Sequence, residues 1–286
     1  MATPGADSKD RTVHAVNDFQ LEQVKRALET SSFWTQIVYL SHVGSTNDAA
    51  KDLASQGAPA GAVVVAEEQT AGRGRLGRRW IAPPRANLLC SILFRPDLQP
   101  VQLHRLTMLC SMAAADAVES LTDLSVALKW PNDLVIRSRI PSTTSPTWRK
   151  LAGVLSEAGL VDTDLAFIVV GVGINVNVPE SALNELAPNA TSILAETGHE
   201  LDRAQLLIEM LEVTEERYRR LSGGENPRGE WSARLITLGH RVHVTAAGDA
   251  FEGVAEAVDE NGALLLRSEN GALRRLLAGD VTLTQS

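Results

Sequence analysis

The composition of the chain changes abruptly after Gly239, and that change constrains the fold more than any other feature. Up to that point, apolar runs of strand length alternate with segments of helical period. Beyond it come only short apolar runs separated by glycines: Arg241 to Thr245, Ala250 to Val258, Ala263 to Ser268, Leu273 to Leu277 and Val281 to Leu283. Asn261-Gly262 and Asn270-Gly271 are tight-hairpin signals, because both dipeptides tolerate the positive φ that a two-residue turn requires. The tail therefore reads as a small antiparallel barrel.

The 286 residues suggest about two units at roughly 150 residues each. In the first, the signals predict helices from Asn17 or Asp18 through Leu28, from Thr46 to Ala54 with Gly57 as its stop, from Val101 to Leu121, from Asp202 to Leu221 and around Glu230 to Ile236. Strands are expected at Gln36 to Leu40, Gly61 to Glu67, Leu88 to Phe94, Val126 to Trp130, Asp133 to Ile136, Leu151 to Ser156 and Leu165 to Val172. Residues 1 to about 16 read as a frayed tail and Ser138 to Trp148 as an exposed loop. The fold class is a mixed-sheet α/β (α+β) domain followed by an all-β unit.

Acidic residues outnumber basic ones by 35 to 27, a formal charge of −8, which argues against a chain dominated by phosphate-backbone binding. No apolar stretch approaches 18 residues, so no membrane span is expected, and the N-terminus lacks the apolar core of a secretory signal. Cys90 and Cys110 match no zinc spacing and read as buried free thiols of a reducing, cytoplasmic compartment. The histidines form no metal-ligand arrangement, and no nucleophile-elbow motif occurs.

Five constellations carry chemistry. In Glu67 to Trp80 (EEQTAGRGRLGRRW), Gly72, Gly74 and Gly77 satisfy the G-x-G-x-x-G pattern, but Pro83 and Pro84 follow at once where a dinucleotide fold needs a helix. Four arginines within seven residues, spaced by glycines, instead suit a loop that folds over a polyanion; the alternative is a solvated surface loop. Lys129-Trp130-Pro131-Asn132-Asp133 places a cation, an amide and a carboxylate in one turn, either to fix a small polar molecule or as a self-satisfied turn. In Lys150-Leu151-Ala152-Gly153-Val154-Leu155, a lysine enters an apolar strand, at a pocket wall or at a strand edge. In Gly171-Val172-Gly173-Ile174-Asn175-Val176-Asn177, glycines within a buried strand suggest close approach of a ring or another backbone. Ser45-Thr46-Asn47 at a helix start is explained by a capping box with Asp48, or else forms a polar recognition site.

In this order, S-T-N, E-x-Q-T-A-G-R-G-R-x-G-R-x-W, K-W-P-N-D, K-L-A-G-x-L-x-E and G-x-G-I-N-V-N resemble the biotin protein ligase family, with the likeness running from about Thr35 to Ser286. The resemblance implies a class II synthetase-like catalytic domain over 35–237 and an SH3-like barrel over 238–286, with 1–34 as a tail and helix. It implies that biotin and ATP give biotinoyl-5′-AMP and pyrophosphate, with Mg²⁺ sharing the phosphate charge. Biotin then passes to a lysine of a biotin carboxyl carrier domain. Ser45, Thr46, Asn47, Gln69, Arg73, Gly74, Arg75, Lys150, Gly153 and Leu155 would bind biotin. Arg73, Arg75, Trp80, Lys129, Asn132 and Asn175 would bind the nucleotide, and Lys150, Arg75 and Arg73 would be catalytic; metal ligands are left unassigned. A lipoate-type acyl-protein ligase and a non-catalytic biotin-binding regulator are the alternatives. Two departures from the family pattern stand out. The residues before Ser45 show one good helix rather than a winged helix-turn-helix, so no DNA binding is expected. The spacer between Asp133 and Lys150 is long. Exposed strand edges permit a homodimer without requiring one.

Overall fold

Ala62–Ala66 and Asn87–Phe94 are apolar or small along most of their length because both faces of the sheet they join are covered. The computed structural model describes residues 19–138, 148–161, 164–187, 189–246 and 248–283, and every residue of these two strands is buried. They are β2 and β3 of a seven-stranded sheet completed by β1 (Gln36–Leu40), β4 (Val126–Lys129), β5 (Asp133–Arg137), β6 (Trp148–Val161) and β7 (Asp164–Asn175). The order is β1-β2-β3-β7-β6-β5-β4. Only β1 and β2 run parallel; every other neighbour is antiparallel.

Among the described residues seven α-helices accompany it: α1 (Leu21–Ala27), α2 (Thr46–Ser55), α3 (His104–Leu121), α4 (Glu180–Leu186), α5 (Ile193–Thr197), α6 (Arg203–Ser222) and α7 (Arg228–Ala233). The period-2 alternation of the strands divides the core. Leu88, Cys90, Ile92 and Phe94 of β3 join Val170, Val172 and Ile174 of β7 and the buried side of α3 and α6. On the opposite face Val64, Leu93 and Val169 meet Ala50 and Ala54 of α2. The short helix α2 packs on β2, β3 and β7. It reaches β6 by side-chain hydrogen bonds to Leu155 and Glu157, and the candidate site lies beside those contacts.

The tail forms a second sheet of β8 (Arg241–Ala246), β9 (Asp249–Val258), β10 (Leu264–Arg267), β11 (Leu273–Leu276) and β12 (Asp280–Leu283), antiparallel throughout in the order β11-β10-β9-β8-β12. Both Asn-Gly pairs lie at hairpins as expected, but only the glycines take positive φ, 83° at Gly262 and 82° at Gly271. Each closes a turn by donating its N–H to the Asp259 or Ser268 carbonyl, so neither is a two-residue turn. Gly262 is also a docking point. A Cβ there would lie 2.4 Å from His104 and Met108 of α3, and its carbonyl accepts the indole N–H of buried Trp130 at 2.9 Å. Trp130 thus ties the β4–β5 turn to the second sheet, which brings β12 over the open face of the first.

The structure extends several expectations. The helix expected from Val101 starts at His104, after a 3-10 turn over Pro100–Gln102. The strands expected at Leu151 to Ser156 and Leu165 to Val172 are longer and pair with each other, and Trp148, expected in a loop, opens β6. The frayed tail, the Asn17/Asp18 cap and the middle of the Ser138 to Trp148 loop lie outside the described residues. Cys90 and Cys110 are buried and free; burial pushes the Cys90 thiol up to about 12, so neither is a nucleophile here.

Asp202 caps α6 as its position predicts, accepting from the N–H groups of Ala204 and Gln205 at 2.8 and 3.3 Å. Asp202→Ala is expected to cost about 1 kcal/mol, read as a lower urea midpoint at unchanged m-value.

Candidate active site

The floor of the site is made by absent side chains. In the β6–β7 ladder Gly153 faces Gly173 and Leu155 faces Gly171. These four positions point to the face that α2 covers only in part. A Cβ on Gly173 would come within 2.8 Å of the Trp80 indole, one on Gly153 within 3.3 Å of the same ring, and one on Gly171 within 2.2 Å of the Asn47 Oδ1. The strand glycines therefore make room for one aromatic ring and one amide.

At the α2 end the groups are polar and mutually satisfied. Ser45, Thr46 and Asn47 are buried. The Thr46 N–H and hydroxyl both donate to Gln69 Oε1, at 2.8 and 3.1 Å. The Ser91 hydroxyl lies 2.6 Å from Asn47 Oδ1 and 2.8 Å from Thr46 Oγ1, and Asn47 Nδ2 donates to Glu157 at 2.6 Å. The capping box expected of Ser45 and Asp48 is not formed. Ser45 stands at the N-cap position without accepting a cap hydrogen bond, and Asp48, the other half of the box, turns outward to a stronger partner. Its two oxygens take the Arg73 guanidinium at 2.6 and 2.7 Å, and Lys51 at 2.9 Å. Arg73 also reaches Glu157 at 3.1 Å.

The Arg73 guanidinium holds the Asp48 carboxyl well below the usual range, with Lys51 adding to it. Burial alone would raise Glu157, but hydrogen bonds from Asn47 and Arg73 outweigh it and leave this group lowered too. Both carboxylates have depressed values in the fold, so the stability they add is complete above about pH 4.5 and is lost as the pH falls through the folded values. The stability difference between wild type and Asp48→Asn is accordingly expected to be constant from pH 6 to 8 and to shrink towards zero below about pH 4. Denaturant midpoints across that range measure it.

The other end is cationic. Lys150 Nζ pairs with Asp133 at 2.6 Å and stands 5.6 Å from the centre of the Trp80 ring. Lys129 ends β4 opposite Asp133 in the ladder; burial pulls its ammonium below the ordinary lysine value, against the pull of Asp133. Burial likewise lowers Arg75, opposed by Asp280 and Asp133, and its Nη1 donates to Asn132 Oδ1 at 3.4 Å. Asn132 is held in place by donating to the Val154 carbonyl at 2.7 Å.

The Arg-Gly segment folds as a narrow flap. Arg73 and Arg79 form an antiparallel bridge, the Gly74 N–H donates to the Arg78 carbonyl at 2.7 Å, and the Trp80 N–H donates to the Gly72 carbonyl at 2.9 Å. At its tip Leu76 and Gly77 take positive φ of 55° and 73°. Arg78 forms an ion pair with Asp280 at the start of β12, so the second sheet closes the wall. The cavity, a cleft partly open to solvent, is about 300 Å³, within the range of small-molecule sites.

Of the expected residues, Ser45, Thr46, Asn47, Gln69, Arg73, Gly74, Arg75, Trp80, Lys129, Asn132, Lys150, Gly153 and Leu155 all line this cavity. Asn175 does not. It donates to the Thr191 carbonyl at 3.0 Å and lines an adjoining cavity of about 180 Å³, which shares Arg79, Trp80 and Lys150 with the first. The motifs contain Asp133 and Glu157 without marking them as partners of Lys150 and Asn47. Ser91 and Asp280 have no local signal at all, since each enters the site through tertiary packing. Among the described residues no group of three or more His, Cys, Asp or Glu could hold a metal, and no helix is long and apolar enough to cross a membrane.

Comparison with known proteins agrees with this geometry. The model of the biotin/lipoate A/B protein ligase family matches residues 39–175, and that of the biotin protein ligase C-terminal domain matches residues 237–283. The chain is 35% identical to the biotin–[acetyl-CoA-carboxylase] ligase of Mycobacterium tuberculosis, over 87% of this chain and 90% of that one. It is 30% identical to the bifunctional ligase/repressor BirA of Bacillus subtilis, over 91% of this chain and 78% of that one. The solved structure of the Aquifex aeolicus biotin protein ligase in complex with biotin and ATP superposes with a TM-score of 0.70 at 28% identity, covering 88% of this chain and all of that one. The chain belongs to the biotin protein ligase family.

Proposed function

We infer that this enzyme joins biotin to ATP, forming biotinoyl-5′-AMP and pyrophosphate, and then acylates a lysine of a biotin carboxyl carrier domain. The observation that carries this reading is the polarity of one cavity: a charge-balanced, hydrogen-bonding end beside a cationic end. Ser45, Thr46, Asn47 and Gln69 suit an uncharged ureido ring. Lipoate's dithiolane offers such groups no hydrogen-bond partner, so it would gain nothing from this end of the cavity. Leu155, together with the Trp80 ring seated over Gly153 and Gly173, suits the apolar body of the ligand.

In the first step a carboxylate oxygen bonds to the α-phosphorus as the bond to the pyrophosphate oxygen breaks. Two anions must meet, so Lys150 is assigned to the junction of carboxylate and α-phosphate, with Arg75, Lys129 and Asn132 about the phosphates. Trp80 and Asn175 flank the nucleotide. The flap from Arg73 through Gly74 to Arg78 shields the mixed anhydride from water. In the second step the neutral amine of the acceptor lysine attacks the acyl carbon and AMP leaves, so no protein nucleophile is needed. The nearby carboxylates Asp133 and Asp280 are both paired with cations; a Mg²⁺ entering with ATP would supply charge neutralisation at the phosphates, with these two carboxylates as its nearest acidic neighbours in the cavity. Acting on carrier domains of biotin-dependent carboxylases, the enzyme is assigned to the cytoplasm and is not assigned to DNA.

Incubation with labelled biotin, ATP, Mg²⁺ and a carrier domain, with lipoate in parallel, tests this reading. Label is expected on the biotin arm alone. Label only with lipoate would reject it, as would no transfer in either arm. A shift of the protein's own upstream DNA in a gel would overturn the assignment of no DNA role.

A further inference from the structure

Arg73 stands at the root of the flap, and its guanidinium is gripped by the protein itself. Two of its nitrogens meet both oxygens of Asp48 at 2.6 and 2.7 Å, and one of them also reaches Glu157 at 3.1 Å. Neither carboxylate lines the cavity. Asp48 belongs to α2, the helix that presents Thr46 and Asn47, and Glu157 on β6 accepts from Asn47. A bidentate pair fixes the plane of a guanidinium as well as its position. The flap is therefore fastened at its root to the two elements that build the hydrogen-bonding end. Two carboxylates balance Arg73 and Lys51, which leaves the Arg73 charge little to offer a phosphate.

We propose that Asp48 is a positioning residue which, through Arg73, holds the flap root against the ring-binding end and so sets how tightly biotin and its adenylate are retained. This rests on the biotin ligase reading.

The test uses the full chain with biotin, ATP and Mg²⁺, comparing wild type, Asp48→Asn, Asp48→Glu, Arg73→Gln and the Asp48→Asn/Arg73→Gln double variant. Adenylate formation is followed by pyrophosphate exchange. Escape of preformed adenylate is followed by capture with free hydroxylamine. For Asp48→Asn the biotin KM and the escape rate are each expected to rise about tenfold, equivalent to roughly 1.4 kcal/mol. The ATP KM and kcat should stay within about twofold. Asp48→Glu should recover most of the loss. The double variant should be no worse in biotin KM than Arg73→Gln alone, because both changes remove one anchor. Effects that multiply in the double variant would overturn the proposal, as would an unchanged biotin KM and escape rate in Asp48→Asn or a rise confined to the ATP KM. A wild-type chain that makes no biotinoyl adenylate would instead overturn the underlying reading, and the inference with it.

Discussion

Lys150→Ala is expected to slow formation of biotinoyl adenylate by about 10²–10³-fold, the usual loss when one preorganised charge is removed from a developing anion. The geometry adds a second reason. Lys150 is paired with Asp133 at 2.6 Å, so alanine leaves an unbalanced carboxylate where the phosphate must come. Stability should hardly follow. The Lys150 side chain is 37% exposed, and a solvated pair of that kind contributes about 0–1 kcal/mol. Single-turnover adenylation set beside a denaturant curve separates the two effects, and equal losses of rate and stability would make Lys150 structural. Arg75→Ala should behave in the same direction, since Arg75 is a largely desolvated cation of the same cavity.

Gly171→Ala is expected to raise the biotin KM about 10- to 100-fold, although it adds a single carbon. That carbon would lie 2.2 Å from Asn47 Oδ1, less than any real contact allows. Asn47 cannot retreat cheaply, because its oxygen is held by Ser91 and its nitrogen by Glu157. Either β7 shifts or the amide leaves its partners, and overpacking of this kind costs about 1–3 kcal/mol. The distortion falls on the hydrogen-bonding end, so biotin affinity should suffer more than ATP affinity. Titration calorimetry with biotin alone distinguishes this from a general loss of fold. Unchanged biotin affinity would remove Gly171 and Asn47 from the binding surface.

Much of this was legible before any coordinates. Runs such as Ala62–Ala66 and the Asn-Gly pairs specify their own conformations, since a strand buried on both faces must be apolar and a tight turn needs positive φ. The motif residues likewise converge on one cavity. Other parts were illegible for identifiable reasons. The helices α4 and α5 are only seven and five residues long, too short to show a helical period. Ser45 and Asp48 carry the letters of a capping box, yet Asp48 prefers an arginine that the chain returns to it only after folding.

The local sequence by itself determined which segments become strands, where the hairpins turn, and that a lysine and several arginines sit beside glycine-rich strands. Those properties depend on backbone sterics and on the period of apolar residues, and both act over a few neighbours. The tertiary structure alone decided which charge faces which. It neutralises Arg73 with Asp48 and Glu157, sets Asp133 against Lys150, and brings Asp280 from the C-terminal sheet to Arg78. Electrostatic pairing depends on distance through space and on desolvation, and neither quantity exists until the two sheets have docked.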